Sequence, residues 1–290
     1  MIGGCGYIGS ALYPVLLAHG HTVQSLDLER RGNPSGIPNR HADYGNLTKP
    51  DLRSFDAVIL LAAHASVAEA NEDPSGAFRN NVVAFHSLLE ILGGRRLIYA
   101  SSSSVYTGRG GTLATELSSW MSPTNMYDFS KFVDDGLAAL SDADYFGLRF
   151  GTVNGPSPNL RDELMLNRMV QSALVNGEVQ ISNGHVHRPI LALKDLTRAI
   201  TTILEGDGPR GVYNLASFNT TVEGAASATS RILDVPIRVD PPRQTYDFTI
   251  DSTKFEETYG FTFLETIDSL VGDLVTMYGE KGLRPTAPCL

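Results

Sequence analysis

Tyr127 and Lys131 stand four apart in Tyr127-Asp-Phe-Ser-Lys131, a stretch that reads as one helix. At that spacing the side chains share a face about one turn apart, so an ammonium can sit near a phenol oxygen. A free phenol titrates near 10 and is a poor base at neutral pH. Bringing one to about 7 takes roughly 4 kcal/mol of preferential stabilisation of the phenolate, which an ammonium and a second nearby cation can supply together. The pair alone says little, because an exposed tyrosine beside a solvated lysine has the same spacing. Four serines, Ser101 to Ser104, close an extended run that begins at Arg96. A serine at a strand end beside a tyrosine base can hold a substrate oxygen and relay its proton. A polar turn is the plain alternative, and four serines leave the register open.

The opening Gly3-Gly-Cys-Gly6-Tyr-Ile-Gly9-Ser is a Gly-x-x-Gly-x-x-Gly run, followed by Ile8, Leu12, Val15 and Leu16 at helical spacing. Glycines let a backbone turn tightly against a pyrophosphate, whose charge the amides of a helix N-terminus can hold. Asp27 ends the strand-like His21 to Leu26, 24 residues after Gly3. A carboxylate there can hold the adenosine ribose hydroxyls and repel a 2′-phosphate, which favours NAD over NADP, with Arg30 and Arg31 weakening the exclusion. Asp43 could bond an adenine amine or be a solvated loop carboxylate. Ala62, Ala63 and His64 follow the carboxyl end of Asp56 to Ala63, where ligands lie in open α/β sheets, and His64 reads as a pocket wall. His185 and His187 have no complementary acidic cluster, so no metal is expected.

The elements that position these residues alternate. The apolar run 56–63 reads as a strand buried on both faces, 75–92 as a helix, 96–102 as a strand, the Tyr127 segment as a helix and 145–150 as a strand. That is an α/β Rossmann-type doubly wound parallel sheet over 1–152. A smaller α+β substrate-binding region then covers 153–290, with about 186–205 returning to the first domain. Within the second region 160–176 reads as helix, 178–182 as extended and 195–204 as an amphipathic helix, while 43–51 reads as loop. Pro14 falls inside the first helix and should kink it or be locally compensated. Only Met1 and Ile2 precede Gly3, whereas a central first strand is normally about five residues, so a few upstream residues are expected to be missing.

At 290 residues with net charge -9, pI about 5.2 and no basic run beyond pairs such as Arg95-Arg96, the chain is large enough for a full core and carries no footprint for nucleic acid. Its two cysteines, Cys5 and Cys289, are too few for a disulfide framework, and no apolar stretch approaches a membrane span. A cytoplasmic protein is expected, with a loose tail from Lys281.

Taken in order, GGCGYIGS, Asp27, LAAHASV, SSSSVY, YDFSK and LRFGTVNGP resemble the extended short-chain dehydrogenase/reductase family, in particular its NAD-dependent nucleotide-sugar epimerases and dehydratases. The likeness continues through HRPI, Val212-Tyr-Asn214-Leu and Asp251-Ser-Thr-Lys254. It implies that Gly3, Gly6 and Gly9 bind the pyrophosphate of NAD, Asp27 the ribose and Asp43 the adenine, with Tyr7, Ile8, Tyr44, Leu61, Ala62 and Ala63 around them. Asn81 would support the active-site helix and cofactor. Counting back four from Tyr106 selects Ser102 as the active-site hydroxyl. Tyr127 would be the acid/base, and Lys131 its electrostatic partner and a ligand of the nicotinamide ribose. Ser102, Ser103, Thr152, Asn154 and Arg188 would meet the nucleotide-sugar substrate, Arg188 at its diphosphate.

The family's 4,6-dehydratases carry an Asp-Glu pair where Ser103 and Ser104 stand here, so the resemblance points to epimerisation, most naturally at carbon 4 through a keto sugar. A keto-sugar reductase using NAD(P)H and a catalytically silent NAD-binding sensor are the competing expectations. A homodimer through the 75–92 and 125–140 helices is also implied.

Overall fold

A computed structural model gives the fold and describes residues 1–107, 112–118 and 123–283; the tail from 284, and Cys289 with it, lie outside the described residues. A parallel sheet runs Asn39–His41, Ser25–Asp27, Ile2, Ala57–Leu60, Arg96–Ser102, Asp144–Phe150, Gly211–Leu215. Its order reverses on either side of Ile2, the crossover pattern of a doubly wound fold.

Side-chain alternation explains why these segments are central strands. Ile59, Ile98, Phe146 and Leu148 point into one apolar cluster with Leu12, Leu16, Leu196 and Ile200, from the helices Tyr7–Ala18 and Leu193–Glu205. Val58, Leu60, Leu97, Tyr99 and Tyr145 point the other way, against Phe85, Leu88 and Ala138 of the helices Ala84–Ile91 and Met126–Leu140. A period of two with both faces apolar is what a strand covered on both sides requires.

The central position is held by a single residue. Ile2 bridges Leu26 and Leu60 in parallel; its amide donates to the Ile59 carbonyl at 2.8 Å and its carbonyl accepts from the Leu61 amide at 2.8 Å. With its side chain only 4% exposed, Ile2 closes the gap between the two halves of the sheet.

A second core lies among the helices Met165–Asn176, Val222–Leu233 and Ile267–Glu280 and the paired strands Val179–Ile181 and Ile237–Val239. Between the two cores, His187–Ala192 pairs parallel with Thr152–Asn154 and antiparallel with Phe218–Thr221.

Several boundaries differ from the sequence expectation for tertiary reasons. The 75–92 segment is Pro74–Ala77, a π-helical turn Phe78–Val83, and Ala84–Ile91. The 43–51 stretch carries a 3-10 turn, Tyr44–Asn46, capped by Asp43 accepting from the Gly45 amide, and a short helix, Lys49–Leu52, opened by a Thr48/Asp51 capping box. The helix expected from 160 begins at Met165, because the Asn154 side chain accepts from the Leu166 amide at 2.9 Å and fixes the first turn there. The first helix runs through Pro14, which sits on its exposed side.

Candidate active site

The glycine loop folds back on the start of the sheet and the first helix begins at Tyr7. Gly3 has φ +85, and a Cβ there would lie 2.5 Å from the Ala62 nitrogen; one on Gly9 would lie 2.3 Å from the Gly3 carbonyl oxygen. Those two glycines are required by the loop's own packing. At Gly6 the nearest atom is 3.5 Å away, so that glycine keeps the loop surface low rather than relieving a clash. Its residue caps the helix without a side-chain bond, leaving first-turn amides for an anion.

Above this turn opens a cleft of about 550 Å³. Every residue assigned to the cofactor lines it except Asn81, Tyr127 and Lys131: Gly3, Gly6, Tyr7, Ile8, Gly9, Asp27, Asp43, Tyr44, Leu61, Ala62 and Ala63 are all in its walls. Two of these side chains are already engaged within the chain. The Tyr7 phenol donates to the Gly155 carbonyl at 2.8 Å, and the Tyr44 phenol donates to the Asn80 carbonyl; burial pushes both phenols well above the usual range. Asp27 accepts from the Cys5 amide at 3.0 Å and the Glu29 amide at 2.7 Å, one through each oxygen, so its carboxylate is held rigidly at the strand end. Arg31, which could have drawn a 2′-phosphate, is paired with Glu69 and Glu163.

Ser102, Tyr127 and Lys131 lie beyond these walls, at the carboxyl end of Arg96–Ser102 and in the first turns of Met126–Leu140. Asn125 caps that helix, its side chain accepting from the Asp128 amide at 2.9 Å. Asn81 joins cleft and helix. Its amide oxygen accepts from the His64 amide at 2.8 Å, and its nitrogen donates to the His64 carbonyl at 3.3 Å and to Ser130 Oγ at 3.1 Å. His64 walls the cleft and Ser130 precedes Lys131. The π turn at Phe78–Val83 carries Asn81; widened turns of this kind recur at functional sites. Asn81 thus ties the His64 peptide to the tyrosine helix and stays out of the cleft wall.

Lys131 is nearly fully buried. Its Nζ donates to the Ala100 carbonyl at 2.7 Å and faces Asp134 Oδ2 at 3.5 Å. Ser102 Oγ donates to Ser104 Oγ at 2.9 Å and accepts from the Ser104 amide at 3.2 Å.

Residues 1–216 match the description NAD dependent epimerase/dehydratase family. The chain belongs to that family. It is similar to a UDP-glucose 4-epimerase of Corynebacterium glutamicum, 27% identical over 300 residues that cover 90% of this chain and 89% of that one. A solved structure of MoeE5 in complex with UDP-glucose and NAD superposes with a TM-score of 0.83 at 26% identity, covering 97% of this chain and 98% of the other. The fold alone is shared with a UDP-glucose 4-epimerase of Thermotoga maritima, TM-score 0.85 at 22% identity, over 97% and 98% of the two chains. NAD is the cofactor of the epimerase/dehydratase family, and the residues here fit it: a loop whose surface the missing Cβ of Gly6 keeps low, open helix amides and a carboxylate, Asp27, fixed in the cleft wall.

In this member of the epimerase/dehydratase family the substrate-side assignments divide. The Arg188 guanidinium bonds the Tyr246 carbonyl and Thr245 Oγ1, and burial lowers its pKa from the ordinary value. Thr152 is half-buried in its strand and Ser103 is buried. Asn154 does not present its amide to a ligand: it is fully buried, and its side chain is taken up by the Leu166 amide and the Thr152 carbonyl. This is a correction to its assignment as a substrate residue, and the cause is the helix start it fixes.

Three residues were not singled out by sequence reasoning. Asp128 accepts from Asn125 Nδ2 at 2.7 Å and from the Tyr246 phenol at 3.1 Å. Asp134 stands beside Lys131. Both aspartates lie inside and just after the Tyr-x-x-x-Lys stretch, whereas Tyr246, over a hundred residues away, gave no local signal.

Proposed function

We propose that this protein epimerises a nucleotide-activated hexose at carbon 4, with Tyr127 as acid/base, Ser102 as the hydroxyl holding the substrate oxygen and Lys131 as the cation that favours the phenolate. Bound NAD supplies the acceptor and donor of hydride. The observation that carries this reading is the buried link from the cleft through Asn81 to the turn bearing Ser130 and Lys131, because it places the tyrosine helix against the end of the cofactor cleft. Likeness to a UDP-glucose 4-epimerase over nearly the whole chain supports carbon 4. Arg188 provides the cation for the substrate diphosphate, displacing its bonds to Thr245 and Tyr246 when it does so. The protein positions the groups and sets their charge, and the redox chemistry belongs to the cofactor.

The test is to incubate the NAD-loaded protein with UDP-glucose and with UDP-galactose, following the sugar by chromatography and the reduced nicotinamide by absorbance. Interconversion without net absorbance change supports the epimerase; stoichiometric consumption of added NADH by a keto sugar establishes a reductase instead. Tyr127→Phe should lose turnover by about 10² to 10⁴-fold and still bind NAD. Full activity in that variant removes the assignment.

The two cores support a division into an NAD-binding domain over 1–152 and a substrate region over 153–290, with 186–205 returning to the first and Gly211–Leu215 adding to its sheet. Phe78, Val83 and Leu140, apolar yet exposed on the helices at 75–92 and 125–140, support a homodimer through those helices. A Val83→Asp variant running as a monomer beside a dimeric parent would establish it. The free buried thiol of Cys5, and helices none of which among the described residues is long and apolar enough to cross a membrane, fit a cytoplasmic setting.

A further inference from the structure

Two aspartates follow Lys131 on its helix, and the fold treats them differently. Asp135 is matched on both oxygens: Oδ1 accepts from the Tyr99 phenol at 2.9 Å and Oδ2 from Arg149 Nε at 2.8 Å, which also balances the charge. Asp134 is buried as well, and Lys131 alone answers it. Its Oδ2 lies 3.5 Å from Nζ, while Oδ1 is buried with no hydrogen-bond partner among the described residues. A buried carboxylate with one oxygen unmet is costly, and epimerisation as written above gives this one no task.

Asp134 stands where it can act on the reaction. Residues 127, 131 and 134 are four and three apart, so Tyr127, Lys131 and Asp134 share one face of the helix. An ammonium has three donors. Lys131 gives one to the Ala100 carbonyl at 2.7 Å and aims a second at Asp134, which leaves one for the phenol or for a ribose hydroxyl of the cofactor. The charge is divided in the same way, because whatever Asp134 neutralises is not felt at Tyr127.

We propose that Asp134 is a positioning residue that acts on Tyr127 through Lys131, leaving the ammonium's full charge to the phenol when protonated and offsetting it when ionised. This rests on the reading of Tyr127 and Lys131 given above and adds to it a carboxylate that opposes the base. Burial pushes Asp134 up to about 7, with the Lys131 ammonium opposing and repulsion from Asp135 adding, so its charge changes near neutral pH. The other groups that face it are Tyr44 from the 3-10 turn, Tyr99 from the strand, and Asp135, whose charge Arg149 matches. Burial holds both phenols protonated well above that range. At about 10 Å along the helix and an effective dielectric of about 20, a unit charge at Asp134 moves Tyr127 by roughly one pH unit. Two groups opposed in this way titrate as a pair, over a wider range than either alone.

The full chain, without nucleotide or sugar, is titrated between about pH 5 and 11 by tyrosinate absorbance, with Tyr127→Phe subtracted to isolate residue 127. The wild-type curve should be broad. In Asp134→Asn, which can keep an oxygen toward Nζ and removes the charge, it should narrow to one ionisation with its midpoint lower by roughly 0.5 to 1 unit. Asp134→Ala should move the midpoint the same way, and Asp134→Glu should restore the wild-type breadth. The NAD-loaded chain turning over UDP-glucose and UDP-galactose should show the matching shift in the acid limb of kcat.

A purely structural Asp134 would change the melting temperature and leave the Tyr127 midpoint in place. A midpoint within about 0.2 unit of wild type in both Asp134→Asn and Asp134→Ala therefore overturns the proposal, as does an upward shift or the failure of both variants to fold. If neither sugar reacts in wild type while the Tyr127 titration shifts as expected, the epimerase reading fails and the coupling of Asp134 to Tyr127 stands. Turnover lost in Tyr127→Phe, beside an unmoved midpoint in the aspartate variants, sinks the proposal alone.

Discussion

Lys131 Nζ lies 3.5 Å from Asp134 Oδ2, with the two side chains 7% and 3% exposed. The other carboxylate oxygen, Oδ1, is buried without a hydrogen-bond partner among the described residues. Burial pushes Asp134 up to about 7, with repulsion from Asp135 adding to it and the Lys131 ammonium opposing it. A buried pair of this kind is weak support for stability, because desolvation competes with attraction.

The sign of the pH effect follows. In the unfolded chain Asp134 loses its proton near 3.8; in the fold it keeps it to about 7. Its contribution to stability is therefore full below the unfolded value, falls as pH rises through that window and stays low above it, a loss of roughly 4 kcal/mol at most. Asp134→Asn should melt higher than wild type at pH 8, with the difference shrinking toward pH 4. Thermal denaturation across that range checks it; a variant that melts lower at pH 8 shows that the pairing with Lys131 dominates.

Gly9 and Gly6 should respond differently to the same methyl group. Gly9→Ala drives a Cβ to 2.3 Å from the Gly3 carbonyl, where backbone cannot yield cheaply, so the loop opens and the thermal shift caused by NAD disappears. Gly6→Ala meets nothing closer than 3.5 Å. That variant should fold within about 1 kcal/mol of wild type and still bind NAD at least tenfold more weakly, because the added methyl occupies the surface a pyrophosphate approaches. Calorimetric titration of NAD separates the two.

Asn81→Ala leaves the His64 peptide and Ser130 Oγ without their shared partner. Each buried group left unsatisfied costs about 1 to 3 kcal/mol, so the melting temperature should fall by several degrees. Turnover should fall with it, since the cleft wall and the tyrosine helix then move independently. Unchanged turnover at 20 °C in a destabilised variant would confine Asn81 to a structural role.

Ile2→Ala removes the side chain that fills the sheet between Leu26 and Leu60. Loss of about 2 to 4 kcal/mol is expected, measured by urea denaturation with the slope unchanged. A loss below 0.5 kcal/mol would mean that the backbone bonds of residues 1–3 carry the junction by themselves.

The strands, the glycine turn and the tyrosine helix were readable because each is written locally. Apolar runs such as 57–60 and 96–102 specify a strand buried on both faces, Gly3 and Gly9 leave no Cβ where none fits, and Asn125 caps the helix three residues ahead of Asp128. The order of these signals was enough to indicate a doubly wound sheet with a nucleotide cleft and a Tyr-x-x-x-Lys pair.

What the sequence could not contain is the set of bonds between residues far apart along it. Asn154 looked like a substrate amide until the fold put it against the Leu166 amide, twelve residues on; Tyr246 meets Asp128 across 118 residues; and Asn81 reaches Ser130 across 49. A side chain's hydrogen-bond partners are fixed by which backbones pack together, and packing is decided by the whole apolar pattern at once. The types of chemistry available were therefore set by the sequence, and the partner of each polar group was set by the tertiary structure.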